Sequence, residues 1–174
     1  KHDGKLQLVV KLHEYGLGSG YLNQLEIGAK IKARVITNTA FHFPKQATKV
    51  ALISNGTGIA PFLGMIQEST PKTETHLYCG FRTETKSVAS YTKLAQEMMD
   101  QQRLQSFNLA LSRIPNGCHV TDLIERDAAF FKALLNENGV IMICGSLAMQ
   151  KDVEKVLETL LEESNISVSD YKAK

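Results

Sequence analysis

From residue 45 onward, short apolar segments alternate with amphipathic ones, and this alternation limits most strongly what the chain can fold into. The apolar segments predict strands, and the segments between them show helical spacing. Strands that alternate with helices form right-handed βαβ units and hence a parallel sheet. The predicted strands are Val50–Ser54, His76–Phe81, Phe107–Ser112 and Val140–Cys144. The predicted helices are Pro61–Glu68, Tyr91–Gln101, a region from about Asp122 to Asn136, and Leu147–Glu163.

The last strand and the first forty-four residues carry different patterns. Val140–Cys144 is uninterruptedly apolar, which is typical of a strand covered on both faces. Lys5–Leu12 and Lys30–Thr37 instead alternate apolar with polar residues, as half-buried strands do. Between these two lies a Gly-rich turn followed by a short helical stretch. The sequence therefore predicts a β-rich part over 1–44 and an α/β domain over 45–174, with Pro44 at the boundary.

Composition excludes several classes of protein. With 174 residues, 43% of them hydrophobic, and a net charge of +2, the chain is neither disordered nor equipped with a basic stripe for nucleic acid. Three cysteines and five scattered histidines form neither a disulfide framework nor a metal-ligand pattern, so no metal is expected. A reducing, cytoplasmic location is the simpler interpretation. No apolar run is long enough to span a membrane, although a longer parent protein could be tethered elsewhere.

The turn after the first strand of the α/β part has features of an anion site. In SNGTGIAPF, Gly56 and Gly58 allow the backbone to turn sharply and to approach a ligand. The helix that begins near Pro61 directs free N–H groups at such a ligand, which favours a pyrophosphate. The segment is neither a G-x-G-x-x-G fingerprint nor a P-loop. By itself it is equally compatible with a tight turn that binds nothing.

Four motifs taken together resemble a known family. GTGIAPF at 56–62, YCGFR at 78–82, LSR at 111–113 and CGSLAMQKDV at 144–153 resemble, in this order, the pyridine-nucleotide domain of the ferredoxin–NADP reductase superfamily. The closest likeness is to its diflavin reductase and sulfite reductase flavoprotein branch. GLGSGYL at 16–22 resembles the FAD-pyrophosphate loop, and FHFP at 41–44 resembles the junction between the two domains.

This resemblance implies the architecture and the function. Residues 45–174 would form a five-stranded, doubly wound parallel NAD(P)-binding domain, and residues 1–44 the trailing part of an antiparallel FAD-binding barrel. The parent would pass hydride from NADPH to FAD and then electrons to an acceptor: a flavodoxin-like domain, a ferredoxin, a haem protein or a sulfite reductase partner. The alternatives are an NADH-dependent reductase of the same fold and a nucleotide-binding module without redox function.

The resemblance also implies roles for individual residues. Those expected at the nicotinamide and pyrophosphate are Gly56, Thr57, Gly58 and Pro61, and Gly145 and Met149 are also expected to bind the cofactor. Arg82 is expected near a nucleotide phosphate, and Ser112 and Arg113 at the 2′-phosphate of NADP. An arginine fork and a serine hydroxyl suit phosphate oxygens, although a solvated strand end is the alternative.

Cys144 and the N-terminal loop complete the expected sites. Cys144 is expected beside the nicotinamide, as the residue closest to hydride transfer, although packing is the commoner role of a thiol at a buried strand end. Gly16, Gly18 and Ser19 are expected to contact the FAD pyrophosphate; an ordinary Gly-rich loop is the alternative.

Several positions depart from the family's pattern. A K-x-Y-x-Q pattern often follows the Ser-Arg pair, whereas this chain has Gly117, His119 and Thr121 there, with His119 a partial substitute. Ser146 stands where the diflavin branch often has Asp. The R-x-Y-S flavin motif is absent, and the chain stops about where a terminal flavin-covering strand would begin. We therefore expect this chain to bind nucleotide phosphates but not to retain FAD.

Overall fold

The computed structural model describes residues 6–36, 38, 41–69, 72–137 and 139–163. The chain divides into two compact units, Lys1–His42 and Phe43–Lys174, and each is considered by itself. In the described residues, no helix is long and apolar enough to cross a membrane.

The second unit is built on a parallel sheet. Its strands are β1 (Lys49–Asn55), β2 (Glu74–Phe81), β3 (Ser106–Leu111) and β4 (Val140–Cys144). They lie in the order β3-β2-β1-β4, and every neighbouring pair is parallel. The chain moves outward from β1 through β2 to β3 and then returns to the other side of β1. The predicted α/β fold with a parallel sheet is thus confirmed.

Helices cover both faces of this sheet. A single 3₁₀ turn, Gly56–Gly58, leads into α2 (Ile59–Glu68), which packs on the same side as α3 (Lys86–Asp100). The opposite face is covered by α4 (Val120–Arg126), α5 (Ala128–Asn136) and α6 (Leu147–Glu163). Pro61 lies in the first turn of α2, where its missing N–H leaves no helical bond unmade.

The pleat of β1 divides the core between the two faces. Val50, Ala51, Leu52 and Ile53 are all fully buried. Since successive side chains of a strand point to opposite sides, Ala51 and Ile53 face one helical layer and the other two face the second. The cluster beneath α4–α6 contains Ala51, Ile53, Tyr78, Ala110, Val120, Leu123, Ile124, Phe131, Leu134, Met149, Val153, Leu157 and Leu160.

The described part of the first unit is helical rather than β-rich. It contains α1 (Leu17–Gln24), which is the short helical stretch expected after the Gly-rich turn. Residues 6–12 and 30–36 form no strand, so the described parts of the predicted strands Lys5–Leu12 and Lys30–Thr37 are wrong. Alternating polarity produces a strand only when another strand supplies hydrogen bonds, and no described segment pairs with either of these.

The predicted five strands are four among the described residues. The expectation of a fifth came from the family resemblance alone, since the sequence pattern after residue 45 predicts only four strands. Because β4 borders only β1 in the described sheet, all five of its residues are half-buried instead of fully buried. The interpretation of its apolar run as a strand was right, but the expectation of full coverage was wrong.

Two helix boundaries differ from the predictions because polar side chains set them. Helix α3 begins five residues earlier than expected, because Thr85 Oγ1 accepts the N–H of Val88 at 3.2 Å. The single helical region expected over 122–136 is two helices that meet at Asp127. Its carboxylate accepts the Tyr78 hydroxyl at 3.0 Å and the Arg126 guanidinium at 2.7 Å. The bond from Arg126 holds the pKa of Asp127 below its ordinary value.

Phe131 tests the packing of the α4–α6 face. It is fully buried, with its ring centroid 5.1 Å from that of Tyr78. We expect Phe131→Ala to lower the free energy of unfolding by about 3–5 kcal/mol, because it removes a large apolar side chain and leaves a cavity. Ile114→Ala is the control, since Ile114 is 42% exposed and should cost less than about 1 kcal/mol. Urea denaturation of both variants makes the measurement, and equal losses would contradict the described core.

Candidate functional site

The carboxyl ends of all four strands lie along one edge of the sheet. Cα pairing sets Asn55 beside Gly80, Ser54 beside Cys144, and Phe81 beside Leu111. The turns that carry Gly56, Arg82, Arg113 and Gly145 therefore leave the sheet at the same edge. In open parallel sheets, ligands bind there, at the point where the strand order reverses. In this chain that point lies between β1 and β4.

The turn after β1 touches the end of β4 through backbone alone. Gly56 has φ +54°, a conformation that suits glycine, and Gly56 and Thr57 are exposed. Gly58 is buried, and a Cβ built on it would lie 2.0 Å from the carbonyl oxygen of Cys144. Its φ of −61° is open to any residue, so glycine is required at 58 only because there is no room for a Cβ. The predicted residues of the first turn and Cys144 are thus brought together.

On the other side of the same turn, an asparagine joins β1 to β4. Asn55 Oδ1 accepts the backbone N–H of Ser146 at 2.9 Å, and Asn55 Nδ2 donates to Ser146 Oγ at 3.1 Å. A Cβ on Gly145 would lie 2.2 Å from Asn55 Oδ1. Asn55 is not among the site residues that the sequence predicts. The available signal was a polar residue directly after a buried apolar strand.

Two arginines lie together at the other end of the edge. The backbone N–H of Arg113 donates to the carbonyl of Arg82 at 2.7 Å, and that of Ser112 to the carbonyl of Phe81 at 2.9 Å. Both arginines are exposed, and neither guanidinium has a carboxylate partner among the described residues. Two unneutralised cations on neighbouring strand ends favour an anionic ligand.

A tight turn follows Arg113 and explains one departure from the family's pattern. Cys118 N–H donates to the carbonyl of Leu111 at 3.1 Å, which closes the turn back onto β3. A Cβ on Gly117 would lie 2.4 Å from that same carbonyl oxygen. His119 is exposed directly before α4, and its backbone N–H donates to the Asp122 carboxylate at 2.6 Å. Glycine at 117 is therefore a requirement of the turn itself.

The cysteines and Met149 differ in what they can contact. Cys144 is half-buried at the site, and burial raises the pKa of its thiol, so it is a neutral thiol at pH 7. Cys79 is fully buried against Ser54 Oγ at 3.0 Å, and burial raises its pKa to about 12. Met149 is buried, and a Cβ on Gly145 would meet its Cε at 2.5 Å. Met149 thus supports the Gly145 turn from beneath.

In the Gly-rich loop of the first unit, the Ser19 hydroxyl already makes hydrogen bonds within the loop. Ser19 Oγ donates to the carbonyl of Gly16 at 3.3 Å and accepts the N–H of His13 at 3.2 Å. A Cβ on Gly18 would meet nothing within 4 Å. The loop therefore presents open backbone at Gly18, whereas the Ser19 hydroxyl is already engaged.

Among the described residues, no three or more His, Cys, Asp or Glu side chains lie close enough together to hold a metal ion.

Residues 52–155 match the sequence model of the oxidoreductase NAD-binding domain. This chain belongs to that family. The match begins within β1 and ends within α6, so it contains all four strand-end turns.

Several longer proteins are similar to this chain. Nitric oxide synthase of Anopheles stephensi is 35% identical over 84% of this chain and 13% of its own length. The sulfite reductase [NADPH] flavoprotein alpha-component of Buchnera aphidicola is 30% identical over 92% of this chain and 28% of its own length. NADPH–cytochrome P450 reductase of Rattus norvegicus is 31% identical over 78% of this chain and 22% of its own length. The resemblance to the diflavin branch of the ferredoxin–NADP reductase superfamily is confirmed, and the chain spans less than a third of each of these relatives.

The contact between Gly58 and Cys144 is testable with a matched pair of glycines. Gly58→Ala should lower the free energy of unfolding by about 1–3 kcal/mol, because the new methyl group must displace a backbone carbonyl. Gly64→Ala, in the exposed middle of α2, should raise it by about 0.5–1 kcal/mol, since nothing lies within 4 Å and alanine favours helix. Thermal or urea unfolding compares the two. Similar stabilities would contradict the close approach of the two turns.

Proposed function

We propose that this chain supplies the NADPH-binding site of a flavoprotein reductase, in which NADPH provides hydride and FAD accepts it. The observation that carries the proposal is the convergence of four motifs at one sheet edge. Two arginines without a carboxylate partner among the described residues lie at one end, and Cys144 lies at the other. Residues 45–174 are the NAD(P)-binding domain, and residues 1–44 the trailing part of the FAD-binding domain. The names of two of the similar proteins include NADPH.

The adenosine end of NADPH would lie at β2 and β3. Arg113 and Ser112 hold the 2′-phosphate, Arg82 meets a nearby phosphate, and His119 adds a further polar group. Two arginines on neighbouring strand ends, neither with a carboxylate partner in the part of the chain that the structure describes, fit this dianion, because no competing carboxylate occupies their guanidiniums. Gly117 replaces a family lysine, so fewer cations meet the phosphate than in members that keep the lysine.

The nicotinamide end would lie between β1 and β4. Gly56, Thr57, Gly58 and Pro61 form the turn that lets the backbone approach the pyrophosphate and ring, and Gly145 keeps the facing turn free of a side chain. The neutral thiol of Cys144 lies between these turns and positions the ring without carrying charge. Hydride transfer belongs to the two cofactors, and the protein supplies placement.

The FAD pyrophosphate would be bound at the start of α1. Gly18 presents open backbone there, and free N–H groups at a helix start favour an anion. Gly16 and Ser19 hold the loop in shape through their mutual hydrogen bond. The acceptor of the electrons would be a flavodoxin-like domain, a ferredoxin, a haem protein or a sulfite reductase partner, and the location would be cytoplasmic.

We expect the 174-residue chain to purify colourless. Its sequence contains no R-x-Y-S motif to hold the flavin, whereas the four nucleotide turns are all present. Absorbance near the flavin maximum, together with nucleotide titration of the same sample, makes the measurement. Stoichiometric flavin on this chain would overturn the assignment of the missing contacts.

Arg113 tests the coenzyme preference. A hydrogen bond to a charged group contributes about 1.5–3 kcal/mol, so Arg113→Ala should weaken NADP⁺ binding by about ten- to a hundredfold. NAD⁺ lacks the 2′-phosphate, so its affinity should hardly change. Calorimetric titration at one low ionic strength makes the measurement, because salt screens exposed phosphate contacts.

Lys93→Ala is the matched control for the loss of one positive charge, since Lys93 is exposed on α3, away from the strand ends. It should leave both affinities unchanged. If Arg113→Ala weakens NADP⁺ and NAD⁺ equally, Arg113 does not bind the 2′-phosphate, and the NADH-dependent alternative is favoured. If the unaltered chain binds neither nucleotide, the proposed function is wrong.

A further inference from the structure

We propose that Asn55 is a positioning residue that fixes the turn Cys144–Ser146 against the turn Gly56–Gly58 and thereby shapes the nicotinamide end of the site. The inference rests on the proposed function, because it assigns a residue to the NADPH site described above. Its basis is the pair of hydrogen bonds between Asn55, at the end of β1, and Ser146, after β4; Asn55 lies outside the four motifs.

The Asn55 amide makes two complementary bonds to one residue. Its oxygen accepts the Ser146 backbone N–H at 2.9 Å, and its nitrogen donates to the Ser146 hydroxyl at 3.1 Å. An N–H can only donate, so the amide oxygen must face it, and this fixes the orientation of the amide. Asn55 and Ser146 are 91 residues apart in sequence. The amide therefore ties together two strand ends that local structure does not link.

Ser146 transmits this contact to helix α6. Its hydroxyl accepts the N–H of Met149 at 3.3 Å, and its carbonyl accepts the N–H of Gln150 at 3.0 Å. The Gln150 side chain also donates to the carbonyl of Gly145 at 3.3 Å. The first turn of α6 and the Cys144–Ser146 turn are thus held as one piece, and Asn55 attaches that piece to β1.

The turn is confined from two sides. Gly58 lies against the Cys144 carbonyl, and the Asn55 amide lies against Gly145 so closely that a Cβ there would be 2.2 Å from its oxygen. Backbone contact limits movement of the turn toward Gly58, and the two hydrogen bonds limit movement away from β1. Without Asn55, the backbone pairing of Ser54 with Cys144 still holds the end of β4, but Gly145 and Ser146 lose the hydrogen bonds that hold the rest of the turn against β1.

Because these bonds are exposed to solvent, their loss should affect the position of the turn more than the stability of the whole protein. Both bonds from Asn55 to Ser146 are exposed, so water replaces either partner when they break. Their loss should therefore alter local geometry far more than the folded fraction. The adenosine end is independent of them, because Arg82 and Arg113 are joined through β2 and β3.

The experiment compares two ligands on the 174-residue chain. NADP⁺ occupies the whole site, whereas 2′,5′-ADP occupies only the adenosine end. We expect Asn55→Ala to weaken NADP⁺ by about five- to tenfold, the loss of about one net hydrogen bond, and to change 2′,5′-ADP less than about twofold. Asn55→Ser, too short for both bonds, should give the same selective loss. Ser146→Ala keeps the backbone N–H that binds Asn55, so it should weaken NADP⁺ binding less than Asn55→Ala does.

Two further measurements make the result specific. Because Asn55 acts through Ser146, the double variant should lose less NADP⁺ affinity than the two single losses combined. Hydrogen exchange at the Ser146 amide should be faster in Asn55→Ala, while amides of the fully buried β1 residues Leu52 and Ile53 keep their protection. A purely structural defect would instead speed exchange throughout the sheet.

The outcomes separate the two proposals. If the unaltered chain binds neither ligand, the proposed function fails and the inference fails with it. If it binds both, and the Asn55 variants weaken both equally or neither, the nucleotide site stands and the role of Asn55 is overturned. Additive losses in the double variant would show that the bond between the Asn55 amide nitrogen and the Ser146 hydroxyl contributes nothing, and would overturn that part of the inference.

Discussion

The parallel pairing of β1 with strands on both sides is the constraint on which the rest of the structure depends. β2 and β4 both take their register from β1, and the Gly56–Gly58 turn that follows β1 leads into α2. Val50–Ile53 are fully buried, so this register cannot slip without moving apolar side chains to the wrong helical layer. Because the strand order reverses at β1, the helices that follow β1 and β4 cover opposite faces of the sheet, and the turns that lead to them meet at one edge.

Most of the candidate site is backbone rather than side chain. At the β1–β4 end, glycine is needed at 58, where a Cβ would meet backbone atoms of Cys144, and it leaves room at 145 for the side chains of Asn55 and Met149. Side chains supply charge at the ends of β2 and β3, through the two arginines, and join the ends of β1 and β4 through Asn55. Backbone held by a buried sheet costs little reorganisation on binding, which suits a ligand that is mostly phosphate and planar rings.

The sequence was most informative where one pattern decides one element. Val140–Cys144 and Leu147–Glu163 were predicted with the observed boundaries, since an apolar run and a helical repeat leave no ambiguity there. The break at Asp127 was not predictable, because it depends on Tyr78, which is 49 residues distant. Residues 6–12 have a strand pattern without a partner strand among the described residues. The four motifs predicted which edge of the sheet carries the candidate site. The role of Asn55 was not predictable, because its partner Ser146 is 91 residues away in sequence.

The tight turn after β3 also bears on how coenzyme preference could be redesigned or could evolve in this chain. Restoring a lysine at 117 would drive its Cβ into two backbone carbonyls, those of Leu111 and Ile114, neither of which can rotate away as a side chain would. A further cation at this end of the sheet edge is therefore accessible at the exposed position 119 but not at 117. The geometry of one loop thus decides which substitutions are open to the chain.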